Sequence, residues 1–191
     1  MRFTLSPSSA APAVVDAVLP LDAAKAHVRV LDDDSDELIA ALAGAAIDAV
    51  QQYTGKRLTA QTVTWRGDFA ELMPMGVGPV TAITTVKYWN SDGVEVTLAP
   101  GSALIAPGDR IEAAPSLGGW PATDGRRGAV TITLTAGYAD AAAECASLIA
   151  AAKLLLGHLF INRESVITGM AAVETPMGFE ALCAPYRDIR I

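Results

Sequence analysis

Apolar positions along this chain change their period twice. Over about 35–53, Ile39, Leu42, Ala46, Val50 and Tyr53 follow one another at spacings of three and four, which predicts a helix with one buried stripe. A shorter helix is predicted over about 22–29, opened by Pro20-Leu21-Asp22 and propagated by Ala23, Ala24 and Ala26. From about residue 61 the period falls to two. Val63 and Trp65 alternate with Thr62, Thr64 and Arg66, and Val80, Ile83, Val86 and Tyr88 belong to a β-branched run. Val94, Val96 and Leu98 continue the alternation beyond the turn signal Asn90-Ser91-Asp92-Gly93. Ala103–Ala106 and 109–112 read as a second hairpin about Pro107-Gly108, and Val130, Ile132 and Leu134 as a closing strand. The helical period returns over about 141–161 in two stripes, Leu148, Ala152, Leu155 and Leu159 beside Cys145, Ile149, Leu156 and Phe160. An apolar arc that wide predicts burial on two sides. A short last helix is predicted over 178–183, after an irregular stretch at 165–176.

Local punctuation supports these elements. In Asp32-Asp33-Asp34-Ser35-Asp36-Glu37, Asp34 is placed to cap the second helix with Glu37 three residues on, as in a capping box, and the other acids favour the positive end of the helix dipole. Gly55 fits a left-handed C-cap, and Lys56-Arg57 complement the negative end. The strands leave no room for βαβ crossovers. The fold class is therefore α+β: a small helical bundle, its long helices at about 35–53 and 141–161, with an inserted antiparallel β module. The expected division is a flexible N-terminal arm over 1–19, a helical domain from 20–60 plus 139–191, and the β module over 61–138.

Composition narrows the function. Hydrophobic residues make up 51% of the 191, but aromatics only 6%, so much of the apolar content is alanine, the best helix former. The net charge of −7 argues against a basic surface that neutralises phosphates. The two cysteines, Cys145 and Cys183, lie in apolar helical contexts without a CxxC and read as buried free thiols in a reducing compartment. No apolar run approaches the roughly 20 residues of a membrane span. Met1-Arg2-Phe3-Thr4-Leu5 is cut short by Ser6-Pro7-Ser8-Ser9 and is not read as a signal peptide.

Catalytic chemistry is missing from the pattern. The acidic run lacks the glycine and late glutamate of a calcium loop, its sixth position being Glu37. His27 and His158 fall on different predicted helices with no partner at metal-ligand spacing. There is no GxSxG elbow, and Gly76-Val77-Gly78-Pro79 is not a phosphate cradle, since Pro79 removes an amide donor. Arg126-Arg127 reads as a solvated turn. Trp65, Trp89 and Trp120 all fall in the β module; at least two suit its core, and Trp120, in a Gly/Pro loop, is the one expected to be exposed.

Several phrases, in order, resemble the head–tail connector (adaptor) family of tailed bacteriophages and phage-derived gene transfer agents. They are Pro20-Leu21 with Ala24-Lys25-Ala26-His27-Val28-Arg29-Val30, the acidic helix start, Tyr53-Thr54-Gly55-Lys56-Arg57-Leu58, Arg127-Gly128-Ala129-Val130, Ala136-Gly137-Tyr138, Gly157-His158-Leu159-Phe160-Ile161-Asn162-Arg163-Glu164, and Pro185-Tyr186-Arg187. The stretch 139–143 departs from the family in lacking a proline before the long helix. The resemblance implies a structural virion protein without enzymatic activity or cofactor. Such a protein forms a ring, usually twelvefold, in the neck between capsid and tail, joining the portal protein to a stopper or tail-completion protein and continuing the DNA channel. Its partners would be the portal, the stopper and further copies of itself; DNA would pass non-specifically and no membrane would be involved. Assembly would take place in the bacterial cytoplasm. On this reading Tyr186, Arg187, Ile189, Arg190 and Ile191 are expected to dock on the portal, and Cys145, Ile149, Leu156 and Phe160 to pack between subunits. Two other readings stay open: a small β-sandwich module binding carbohydrate or protein, with flanking helices, and a hydrolase whose site assembles only in space.

Overall fold

The computed structural model describes residues 4–5, 12–69, 76–162 and 177–187. The chain forms two compact units. One holds Ala60–Tyr138 and the N-terminal strand; the other is built from Ser9–Thr59 and Ala139–Ile189.

In the first unit a five-stranded antiparallel sheet has the order β1-β2-β7-β3-β4. The strands are β1 (Thr4–Leu5), β2 (Gln61–Gly67), β3 (Val80–Trp89), β4 (Glu95–Thr97) and β7 (Val130–Ala136). A separate ribbon pairs β5 (Ala103–Ala106) with β6 (Arg110–Ala113). Strand β7 lies centrally because its alternation is cleanest: Val130, Ile132, Leu134 and Ala136 are fully buried, while the threonines between them face the other side. Opposite Ile132 stand Trp65 on β2 and Val86 on β3, and opposite Leu134 stand Val63 and Ile83. This one-sided apolar layer, closed by Val77, Val80 and Ile111, is the core of the unit. The β3–β4 turn is held by Asn90, whose side-chain Oδ1 accepts from the amides of Asp92 and Val94 at 3.0 Å. The ribbon is tied to β3 by Asp109, whose Oδ1 accepts from the Val80 amide at 2.8 Å.

The second unit contains α1 (Pro12–Val18), α2 (Leu21–Val28), α3 (Asp36–Thr54), α4 (Ala141–Glu144), α5 (Ala146–Ile161) and α6 (Met177–Cys183). Within the segment 1–19 expected as a flexible arm, residues 12–18 form a helix and Val18 and Leu19 are buried; alanine and valine suffice for two turns once the end is packed. Helix α3 buries Ile39, Ala43, Ala46, Ile47 and Val50 and packs on α5, which contributes Leu148, Ala151, Ala152 and Leu156. Helix α6 adds Phe179 and Cys183, the Phe179 ring meeting Tyr53 edge-on at 5.5 Å. Gly55 ends α3 with φ 74°, the left-handed cap that its position predicts. Arg57 does not complement that helix end from the surface. It is buried, and burial pulls its basicity below the usual value, with Asp48 opposing the shift.

The single helix expected over 141–161 is two. Cys145 leaves helical geometry at φ −144°, ψ 49°, and α5 starts after it. The reciprocal capping expected at Asp34 and Glu37 occurs here instead. Asp140 Oδ1 accepts from the amides of Ala142 and Ala143, and Glu144 Oε1 reaches back to the amides of Ala139 and Asp140.

Candidate docking surfaces

The acidic loop is organised by a lysine. Lys25 Nζ stands 2.7 Å from Asp33 Oδ1 and 2.6 Å from Asp36 Oδ1. The hydrogen bond to Lys25 holds the Asp33 carboxyl below its usual range, and the two carboxylates raise the basicity of Lys25. Ser35 occupies the N-cap position of α3 without a side-chain cap bond, and the Asp36 amide donates to the Asp33 carbonyl at 3.2 Å. Asp34 and Glu37 are exposed and make no capping box, because Lys25 closes the loop through their neighbours. At the start of this loop Leu31 is 97% exposed.

The C-terminal segment runs from α6 into a short 3-10 turn, Ala184–Tyr186. Tyr186 is half-buried, and its hydroxyl accepts from Ser147 Oγ at 3.1 Å. The Arg187 guanidinium stands 5.2 Å from the centre of the Tyr53 ring, at cation–π range. Tyr186 is thus fastened to the helical unit rather than hanging from it. Ile189, Arg190 and Ile191 lie outside the described residues.

Of the four residues expected between subunits, Cys145 and Leu156 are fully buried within the chain's own helical unit, so they form its core and not a surface. Ile149 and Phe160 are half-buried. The exposed large apolar side chains of α5 are Leu154, at 40%, and Ile161, at 79%. They lie on one helix face with exposed Ala150. Periodicity alone does not reveal this face, because it does not say which side of each stripe a neighbouring helix covers.

A second feature was hidden among alanines. On α3, the side opposite the buried stripe carries Ala40, Ala41, Gly44 and Ala45, and with Val15 and Asp16 of α1 and with Asp48 they line a groove of about 470 Å³. A Cβ built on Gly44 meets only Val15 Cγ2, at 3.6 Å. Small residues in a helix read as propensity, so the groove they leave beside α1 is not visible in the sequence.

In the β unit Trp65 is buried. Arg126 lies 4.0 Å from the centre of the Trp89 ring and pairs with Asp124, so this half of the basic pair is not simply solvated. Trp120, expected to be exposed, is half-buried and stacked on Phe69 at 4.5 Å and 10° between planes. That contact covers one face of the ring a sugar would use.

The thiols of Cys145 and Cys183 are both pushed up to about 11 by burial, with Glu144 and Asp140 adding to the effect at Cys145, so neither offers a thiolate at neutral pH. His158 Nδ1 is 3.4 Å from the Asn162 amide nitrogen, while His27 faces Gly157. Among the described residues no group of three or more His, Cys, Asp or Glu could hold a metal ion, and no helix is long and apolar enough to cross a membrane.

Residues 19–89 match the family model of the phage gp6-like head-tail connector protein. Comparison with curated proteins finds no match. Among solved structures, the chain is similar to one in the neck of an empty gene transfer agent particle determined with C6 symmetry, with 26% identity and a TM-score of 0.70. It is also similar to a chain in the virion of a native gene transfer agent particle, with 26% identity and a TM-score of 0.72. A third, from a native neck with C12 symmetry, has 22% identity and a TM-score of 0.66 and shares the fold. Each likeness covers 100% of this chain and 97% of the other.

Proposed function

We infer that this chain is a head–tail connector protein, a structural component of a particle neck without catalysis. The observation that carries this reading is the likeness over the full chain, both units included, to chains of gene transfer agent particles. In that role the protein forms a ring, dodecameric in the finished neck, between a portal protein and a stopper or tail-completion protein, assembled in the bacterial cytoplasm. Support for the twelvefold ring comes from the shared fold with a neck of that symmetry. The net charge of −7 suits a channel that DNA must pass without adhering.

Within the ring, the helical domain of 20–60 and 139–191 serves as the connector, and the β module of 61–138 is a separate attachment. The C-terminal residues dock on the portal: Ile189, Arg190 and Ile191 form the anchor, and Tyr186 with Arg187 fixes its root on the helical unit through Ser147 and Tyr53. Docking of a short apolar and basic segment into a groove is a common mode of such attachment.

Removal of the gene from the producing bacterium tests the reading. The expected result is DNA-filled heads and free tails that do not join, seen by electron microscopy. Complete particles without the protein would refute it. For the anchor, deletion of 188–191 is the informative truncation, because a longer one removes buried Phe179 and Cys183. The shortened protein should fold and fail to restore joining; full restoration would remove the portal-docking role.

A further inference from the structure

We propose that the groove between α1 and α3 receives the exposed face of α5 from a neighbouring copy of the same chain. The inference rests on the connector reading and names the surface by which the ring closes. A ring is built from one contact repeated head to tail, so every copy must carry both halves of it on different parts of its surface. The helical unit carries such a pair. One half is concave and lined by Ala40, Ala41, Gly44 and Ala45. The other is convex: Leu154 and Ile161 project from α5, 40% and 79% exposed, two helical turns apart.

The two halves differ in kind, which is what a heterologous contact requires. The groove has no large side chain from α3, and its carboxylates, Asp16 and Asp48, belong to its lining. Helix–helix contacts gain most where small residues on one side admit branched side chains from the other. Gly44 fits this account and not the needs of the fold, since an alanine there would meet its nearest neighbour only at ordinary contact distance, 3.6 Å from Val15 Cγ2. A second copy is favoured over another partner because the complementary ridge is present on this chain. Ile161 is largely uncovered among the described residues, and Leu154, though its Cδ1 lies beside Gly178 of α6, keeps 40% of its surface exposed, whereas half of the residues first expected to serve, Cys145 and Leu156, are buried in the core.

Cysteine cross-linking in assembled particles tests the contact. Ala41→Cys, Ile161→Cys and the double variant are introduced into the producing bacterium. Both positions are exposed, so the fold tolerates them, and buried Cys145 and Cys183 do not compete. After mild oxidation of purified particles, the double variant is expected to give a ladder of multimers on non-reducing gels, with each single variant remaining monomeric. Dimers from either single variant would mean a symmetric contact and overturn the proposal. Incorporated double variant without cross-links would overturn it while leaving the connector reading intact. Absence of the wild-type chain from purified particles would instead sink the connector reading, and this inference with it. As an independent arm, Ala41→Trp fills the groove from its exposed side. It should leave the circular dichroism and melting temperature of the isolated protein unchanged and cut incorporation into particles at least tenfold; unchanged incorporation counts against the proposal.

Discussion

Gly157 stands inside α5, one turn before its end, where glycine is less favourable than alanine by about 0.8–1.0 kcal/mol. The ordinary reason to keep such a glycine is a neighbour too close for a methyl group. Here the neighbour is the His27 ring of α2, and a Cβ on Gly157 would stand 3.5 Å from its Nε2 and 3.8 Å from its Cδ2. Those are normal van der Waals separations, so the methyl fills space and displaces nothing. Gly157→Ala is therefore expected to stabilise the helical unit by about 1 kcal/mol. For a chain of this size that gain raises the melting temperature by roughly 2–4 °C. Gly178 supplies the contrast. Its added Cβ would come to 3.3 Å from Leu154 Cδ1, so a side-chain end must give by a few tenths of an ångström, and Gly178→Ala should gain less. Urea denaturation followed by circular dichroism at 222 nm measures both, with the slope checked for constancy. A loss of more than about 1 kcal/mol in Gly157→Ala would refute the reasoning, since it would match overpacking and place α2 closer to α5 than this geometry allows.

Asp140→Ala removes the acceptor for two orphan amides and should cost about 1 kcal/mol in the same denaturation assay, with Asp140→Asn recovering most of it. Leu134→Ala, fully buried on the central strand, should cost about 2–5 kcal/mol; a change below 1 kcal/mol would mean that β7 is not the centre of its unit. For the thiols, burial raises Cys145 and Cys183 to about 11, above the usual thiol value near 9 in the unfolded chain, so the folded state retains protons that the unfolded state has lost. Their contribution is full below pH 9 and fades as pH rises from there towards 11. Stability measured across that window should fall for the wild type and fall less for Cys145→Ala/Cys183→Ala, and maleimide should label neither thiol without denaturant.

The elements that were legible in sequence are those where a single period governs. The alternation Val130, Ile132, Leu134 predicted an inward face, and the stripe Ile39, Ala46, Val50 predicted the side of α3 that meets α5. Turn chemistry was equally plain at Asn90 and Gly93, since a side-chain acceptor and a residue at φ 73° are what the reversal needs. Partner choice was not legible. Lys25 could have met any nearby acid, and its capture of Asp33 and Asp36 removed the expected cap at Asp34. Arg57 looked like a surface charge because sequence shows polarity and not enclosure. The two stripes of 141–161 were correctly read as apolar, but which residues remain outside depends on how many helices pack around α5, and α2, α3 and α6 all do. The interaction surfaces were least visible, because Ala40, Ala41 and Gly44 carry no chemistry of their own; they matter only as an absence of bulk.

The strand at the centre of the β sheet is the last of that sheet to leave the ribosome. In the order β1-β2-β7-β3-β4, both β2 and β3 meet their main partner only when Val130–Ala136 has been synthesised. The helical unit has the same delay, since α3 waits for α5 across the whole inserted module. Such long-range closure slows folding relative to a chain of local hairpins. For most of its synthesis the protein therefore presents two unpaired halves. A chain whose translation stops before β7 has neither its sheet core nor its helix pair, so an incomplete chain cannot present the folded surfaces of the finished one.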